Sequence, residues 1–233
     1  MDKIVKHVIL DKKKYTIIGC SVMGEDKLEN QDSFDIYSDE KQIIAVVADG
    51  LGSASYSKEG SSKIVKICLE QLKDSLLVKE NFGEKLFKVW KESVSGKLTL
   101  YDTTVKFVKI TKDKICYGGI GDGWLSLKCY DKFINLVVEK EFLNQTDSML
   151  SYNLSTKFIF EEIDNKGMDI IVIATDGFSD DVDKKEDFLK DVKKDIDRNL
   201  DSFVEELKET LQMWPITSNK DDKTIIIISK GSE

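Results

Sequence analysis

The sequence predicts an α+β protein, a layered sandwich in which helices cover sheets. Short runs rich in Ile and Val recur along the chain at strand length. Four amphipathic helical stripes come in two pairs, one after the early strands and one before the last strand. No linker, low-complexity tract or repeat interrupts the pattern, and the only proline is Pro215. With 233 residues, 41% of them hydrophobic, the chain reads as a single domain spanning 1–233.

In chain order, strands are expected at 15–22, 33–37 and 42–48, each apolar, β-branched and too short for a helix. Ile64, Cys68, Leu72 and Leu76 then repeat every four residues, as do Phe82, Leu86, Trp90 and Val94; both sets read as core-facing helix stripes. Ser57 is the expected N-cap of the first helix, with Glu59 in its first turn facing the positive end of the dipole. Strands follow at 103–111, 114–119, 124–130, 133–138, 157–163 and 169–175. Two more helical stripes run through Phe188, Val192 and Ile196, and through Leu200, Phe203, Leu207, Leu211 and Trp214. A last strand is expected at 224–229.

Composition excludes several function classes. Net charge is −8 with acids and bases interleaved, so no basic face offers itself to nucleic acid. The first residues, MDKIVKHVILDKKKY, lack the apolar core of a signal peptide, and no apolar run reaches membrane-spanning length; a cytoplasmic protein without a membrane partner is expected. Cys20, Cys68, Cys116 and Cys129 stand singly without CxxC spacing and read as reduced core residues, which leaves the Asn144 and Asn153 sequons without a glycosylation role. His7 is the one histidine, so triads, HExxH zinc sites and Cys/His dyads have almost nothing to work with. Chemistry in this chain has to run on carboxylates.

Those carboxylates fall at strand ends. "IIAVVADGLGS" (43–53) and "IIVIATDGFSD" (170–180) are two buried-looking strands that each run into Asp-Gly and a large apolar residue, placing Asp49 and Asp176 where the chain leaves the core. In "DDKTIIII", Asp221 and Asp222 come just before a strand, so an antiparallel arrangement brings Asp221 to the same edge. Asp122 sits in the glycine turn of "GIGDGW", and Gln31 and Asp32 precede the strand in "ENQDSF". One Asp-Gly pair is an ordinary turn. Several strand-end acids together would repel one another unless a cation lay between them, and all-oxygen ligands select a hard ion, Mg²⁺ or Mn²⁺.

In this order and at these distances, "ENQDSF", "VVADGLGSASYSKEGS", "YDTTV", "GIGDGW", "IIVIATDGFSD" and "DDKTIIII" resemble the metal-dependent Ser/Thr protein phosphatases of the protein phosphatase 2C family, in its compact bacterial branch. The resemblance spans about residue 15 to residue 230. "EKEFLNQTDSML" (139–150) also resembles a segment of that branch, with no chemistry attached to it.

The resemblance implies a four-layer αββα sandwich, two antiparallel sheets flanked by helices, with a site for two Mg²⁺ or Mn²⁺ ions at one edge. Asp49 would bridge the ions, the Gly50 carbonyl and Gln31 would join the second, and Asp176 and Asp221 would complete the first. Asp122 would help to hold a third, weaker ion, Asp32 would orient a water, and Lys27 would meet the substrate phosphate. The implied reaction is hydrolysis of a phosphomonoester by metal-activated water, with a phosphoserine or phosphothreonine protein as substrate and a cognate kinase as a possible partner. Two positions depart from the commoner family pattern. Gln31 replaces a glutamate, which weakens that ligand, and Lys27 replaces an arginine, which removes a bidentate fork. They leave open an alternative, a catalytically weak or silent phosphatase-like module that binds and regulates a partner. A hydrolase of small phosphate esters is a third reading. Haloacid-type chemistry is excluded because GLGS, not a DxDxT pattern, surrounds Asp49.

Overall fold

The computed structural model describes residues 2–25, 27–74, 79–136, 147–152, 158–213 and 220–231. One sheet has the strand order β1-β2-β11-β10-β7-β8, from β1 (Asp2–Leu10), β2 (Lys13–Val22), β7 (Trp124–Cys129), β8 (Lys132–Leu136), β10 (Met168–Ala174) and β11 (Lys223–Lys230). The second has the order β3-β4-β5-β6-β9, from β3 (Ser33–Ser38), β4 (Gln42–Ala48), β5 (Val105–Thr111), β6 (Lys114–Ile120) and β9 (Ile159–Asp164). Every pairing between these strands is antiparallel.

Alternation along the strands divides the apolar residues among three cores. Ala45, Val47, Val108 and Ile110 of one sheet meet Ile17, Ile171, Ile173, Ile226 and Ile228 of the other, so the sheets stack face to face. The opposite side chains of β4 and β5, Ile44, Val46 and Phe107 among them, pack under α1 (Ser57–Lys73) and α2 (Phe82–Ser93) through Ile64, Cys68, Leu86 and Trp90. On the far side, Ile18, Ile170, Val172 and Ile227 pack under α5 (Lys185–Arg198) and α6 (Leu200–Met213) through Leu189, Val192, Phe203 and Leu207. The result is the expected αββα order. All four cysteines are free and buried. Among the described residues, no helix is long and apolar enough to cross a membrane.

Several local expectations need correction. β1 was not expected; it forms a hairpin with β2 whose turn residues, Asp11 (φ 48°) and Lys12 (φ 66°), are left-handed without being glycine or asparagine. Both faces of β1 carry apolar and charged residues in turn, so its period-2 signal is weak. Tyr56, not Ser57, caps α1; Ser57 is its first residue, with a buried Oγ that has no hydrogen-bond partner, while Glu59 does lie in the first turn and pairs with Lys63 at 2.6 Å. β5 begins at Val105 because Thr103 and Thr104 turn aside to bond the Asp49 segment. Two short helices were also unforeseen, α3 (Met149–Tyr152) and α4 (Asp176–Ser179). Leu76, residues 137–138, residue 157, the sequon positions Asn144 and Asn153, Trp214, Pro215 and most of "EKEFLNQTDSML" lie outside the described residues.

Candidate active site

Antiparallel pairing explains why acids from distant parts of the chain meet. Ala174 of β10 lies opposite Ile225 of β11, so Asp176, just after one strand, and Asp221, just before the other, share an edge. Ala174 also lies opposite Trp124 of β7, which places the Gly121–Gly123 turn and Asp122 beside them. Asp49 arrives from the other sheet, at the end of β4. The fields of Asp32, Asp176, Asp221 and Asp122 all act on it and, after burial itself, hold its carboxyl well above the ordinary carboxylate range.

Threonines hold two of the acids in place. The Asp49 N–H donates to Thr104 Oγ1 at 3.0 Å, and its carbonyl accepts from Thr103 Oγ1 at 2.8 Å. Gly50 N–H donates to the Gln31 carbonyl at 3.3 Å, which ties the Asp49 turn to the "ENQDSF" segment. Asp32 is 2% exposed; Oδ2 accepts from Thr175 Oγ1 at 2.8 Å, and Oδ1 is buried without a hydrogen-bond partner. Burial pushes the Asp32 carboxyl up to about 7, against the side chains of Thr224 and Thr175 and with help from Asp222 and Asp176. Asp176 opens α4 and is pushed up to about 6 by burial, then by Asp122, Asp221 and Asp180.

Lys27 is where the structure adds most to the sequence reading. Its Nζ lies 2.6 Å from Asp221 Oδ1 and donates to Gln31 Oε1 at 3.0 Å, with Asp222 Oδ2 at 3.9 Å. Burial opposes its charge, but Asp221, Asp222 and Asp49 outweigh that and raise its pKa. The ammonium therefore bridges two of the expected metal ligands. Among the described residues, no three His, Cys, Asp or Glu side chains close on one point tightly enough to hold an ion as they stand. Like-charged groups stay apart and a lysine fills between them. The donor chemistry still fits a hard divalent cation: oxygen-only ligands, an orphaned buried carboxylate oxygen on Asp32, and acids that raise one another's pKa.

Asp222, Asp102 and Lys106 also matter to the site, although the sequence assigned none of them a role there. Asp222 is 2% exposed and accepts from Gly24 N–H at 2.8 Å and Gln31 N–H at 2.7 Å, pinning both ends of the segment that carries Lys27. Asp102 is also buried; it accepts from Ser148 Oγ at 2.8 Å and Leu150 N–H at 3.0 Å, which gives the end of "EKEFLNQTDSML" a structural role. The signal for both was an acid next to a strand, which a sequence alone cannot assign to ligand or fastener. Lys106 on β5 is 2% exposed and donates to the Gly121 carbonyl at 2.7 Å. Burial pushes its ammonium down to about 8, against the pull of Asp122 and Asp176.

Two expected outcomes follow from this geometry. Because the folded Asp32 and Asp176 pKa values lie above the unfolded carboxylate value of about 4, their contribution to stability is complete below that value and is lost as pH rises through about 6 to 7. In the presence of chelator, the thermal midpoint should fall between pH 5 and pH 8, and Mn²⁺ should remove most of that fall; a flat chelator profile would contradict the crowding. A Cβ on Gly177 would lie 2.0 Å from the Asp222 carbonyl oxygen. Gly177→Ala should therefore destabilise by about 1–3 kcal/mol in denaturant melts, since α4 cannot approach β11 without displacing backbone.

Comparison with known proteins agrees with this architecture. The structure resembles that of RsbX in complex with magnesium, at 20% identity and TM-score 0.68, covering 98% of this chain and 100% of that one. It also resembles the catalytic domain of the serine threonine protein phosphatase PstP in complex with two manganese ions, at 11% identity and TM-score 0.66, covering 94% and 99%. The serine/threonine phosphatase Stp1 from Staphylococcus aureus matches at 14% identity and TM-score 0.62, covering 91% and 94%. No curated protein sequence matches. The family model for protein phosphatase 2C matches residues 24–212, most of the chain, including Asp32, Asp49, Asp122 and Asp176; Asp221 and Asp222 lie beyond it. The chain thus belongs to the protein phosphatase 2C family of metal-dependent phosphoprotein phosphatases.

Proposed function

We propose that this chain removes phosphate from phosphoserine or phosphothreonine in a protein, using two Mg²⁺ or Mn²⁺ ions at the acidic edge. The observation that carries the reading is Asp49, a buried strand-end carboxylate held up by that burial and then by four other aspartates drawn from separate parts of the sequence. Asp49, the Gly50 carbonyl, Asp176, Asp221 and Gln31 would hold the ions, and Asp122 a third, weaker one. Divalent cations there would supply the Lewis acidity that lowers the pKa of water and neutralises phosphoryl charge.

The chain's own residues supply the rest. Asp32, steadied by Thr175 and with Oδ1 unused, orients water and can take its proton. Lys27, which now spans Asp221 and Gln31, would be the group to meet the substrate phosphate, as a point charge, were a cation held by those two residues. A kinase must supply the phosphorylated protein.

The Lys27 bridge also favours a second reading, a silent module in which the ammonium keeps the cation's place and a phosphoprotein is bound without turnover. One assay separates them. Purified protein should hydrolyse para-nitrophenyl phosphate with Mn²⁺ and stop with chelator. Phosphothreonine and phosphoserine peptides should be cleaved better than small phosphate esters. A folded protein without turnover across Mg²⁺ and Mn²⁺ titrations would leave only the binding module.

A further inference from the structure

Lys106 is a lysine in a place where the sheet otherwise keeps aliphatic side chains. It shares the inward face of β5 with Val108 and Ile110, which pack between the two sheets. Trp90 and Tyr15 are among the few side chains as large and as fully enclosed. A buried ammonium is costly unless its charge is matched, and Lys106 donates to a neutral carbonyl, that of Gly121. The charges that act on it are Asp122 and Asp176, both at the acidic edge. Its stem runs beneath the glycine turn: a Cβ on Gly123 would lie 3.4 Å from Lys106 Cε and 2.6 Å from the Ala174 carbonyl oxygen. Gly121, with φ +107°, brings the turn down onto Thr104. The ammonium thus lies against the Gly121–Gly123 turn that carries Asp122.

We propose that Lys106 is a built-in counter-cation of the pocket, a positioning residue that holds the Gly121–Gly123 turn and takes over charge neutralisation that a further divalent ion beside Asp122 would otherwise supply. The inference rests on the phosphatase reading of the acidic edge. Five aspartates would share two divalent ions there, and a fixed positive charge beside the Asp122 turn would lower the attraction of the edge for a third. It also keeps Asp122 and Asp176 together when no metal is bound. Removal of the ammonium should therefore do two opposite things: loosen the metal-free protein and strengthen the weakest metal site.

The test compares wild type, Lys106→Met, Asp122→Asn and the double variant. Methionine keeps most of the buried length without the charge. In chelator at pH 7, where the lysine is still charged, Lys106→Met should lower the thermal midpoint, and Asp122→Asn should remove most of that loss, because the charge that the lysine serves is gone. Mn²⁺ titration followed by electron paramagnetic resonance should show the weakest site of Lys106→Met tightened at least about tenfold over wild type, as expected when a nearby unit charge is removed. Equal midpoint losses in both backgrounds, with an unchanged Mn²⁺ isotherm, would reduce Lys106 to packing and overturn the inference. Failure of every variant, wild type included, to bind Mn²⁺ would instead overturn the metal reading itself.

Discussion

Asp49→Asn should abolish phosphatase activity while making the metal-free protein more stable. Asp49 is the group on which Asp32, Asp122, Asp176 and Asp221 all act, so its neutralisation relieves the largest share of the repulsion at the edge. Its backbone contacts to Thr103 and Thr104 do not involve the carboxylate and survive the change. The activity loss should reach about a thousandfold or more, the scale of several kcal/mol of transition-state stabilisation lost with the metals. In chelator at pH 8, the thermal midpoint should rise. Turnover within tenfold of wild type would remove Asp49 from the reaction, and a lowered chelator midpoint would show that the carboxylate is structural.

Asp222→Ala should fail in the opposite way, through the fold first. The carboxylate is buried and accepts from two backbone N–H groups, Gly24 and Gln31, that have to cross between β2 and β3. Alanine leaves both donors without that acceptor, at a cost of about 1–3 kcal/mol each, read as a shift in urea midpoint. Lys27 and Gln31 ride on the freed segment, so activity should fall even where the protein stays folded. Extra Mn²⁺ should not restore it. Unchanged stability would mean that another group holds the segment.

The sandwich was legible because its strands are apolar on both faces. Buried β4, β10 and β11 leave little else to be, and their Asp-Gly and Asp-Asp boundaries mark where the chain leaves the core. β1 was not legible, since its residues alternate between a half-buried and an exposed face with lysines on both. The acidic edge was legible as a set of residue types. Its internal arrangement was not: Asp221 and Asp222 are adjacent and chemically identical, yet one meets Lys27 and the other anchors backbone, a division that only the approach of residues 24–31 determines. Lys106 was hidden for a related reason. Lys106, the first of two lysines in "TTVKFVKIT", reads as an edge or surface position until the opposite sheet closes over it.

The hydrogen bond from Thr175 to Asp32 joins the end of β10 to the start of β3, one from each sheet. The constellation is thus split across two slabs, kept in alignment by their shared apolar filling and by a few polar links such as this one at the edge. A small slippage of one slab over the other would spread the oxygens apart as surely as deleting one of them. Side chains deep in that filling, far from any phosphate, consequently set how well the carboxylates are focused, and loss of affinity for divalent ions should be an early sign that the interior has been loosened.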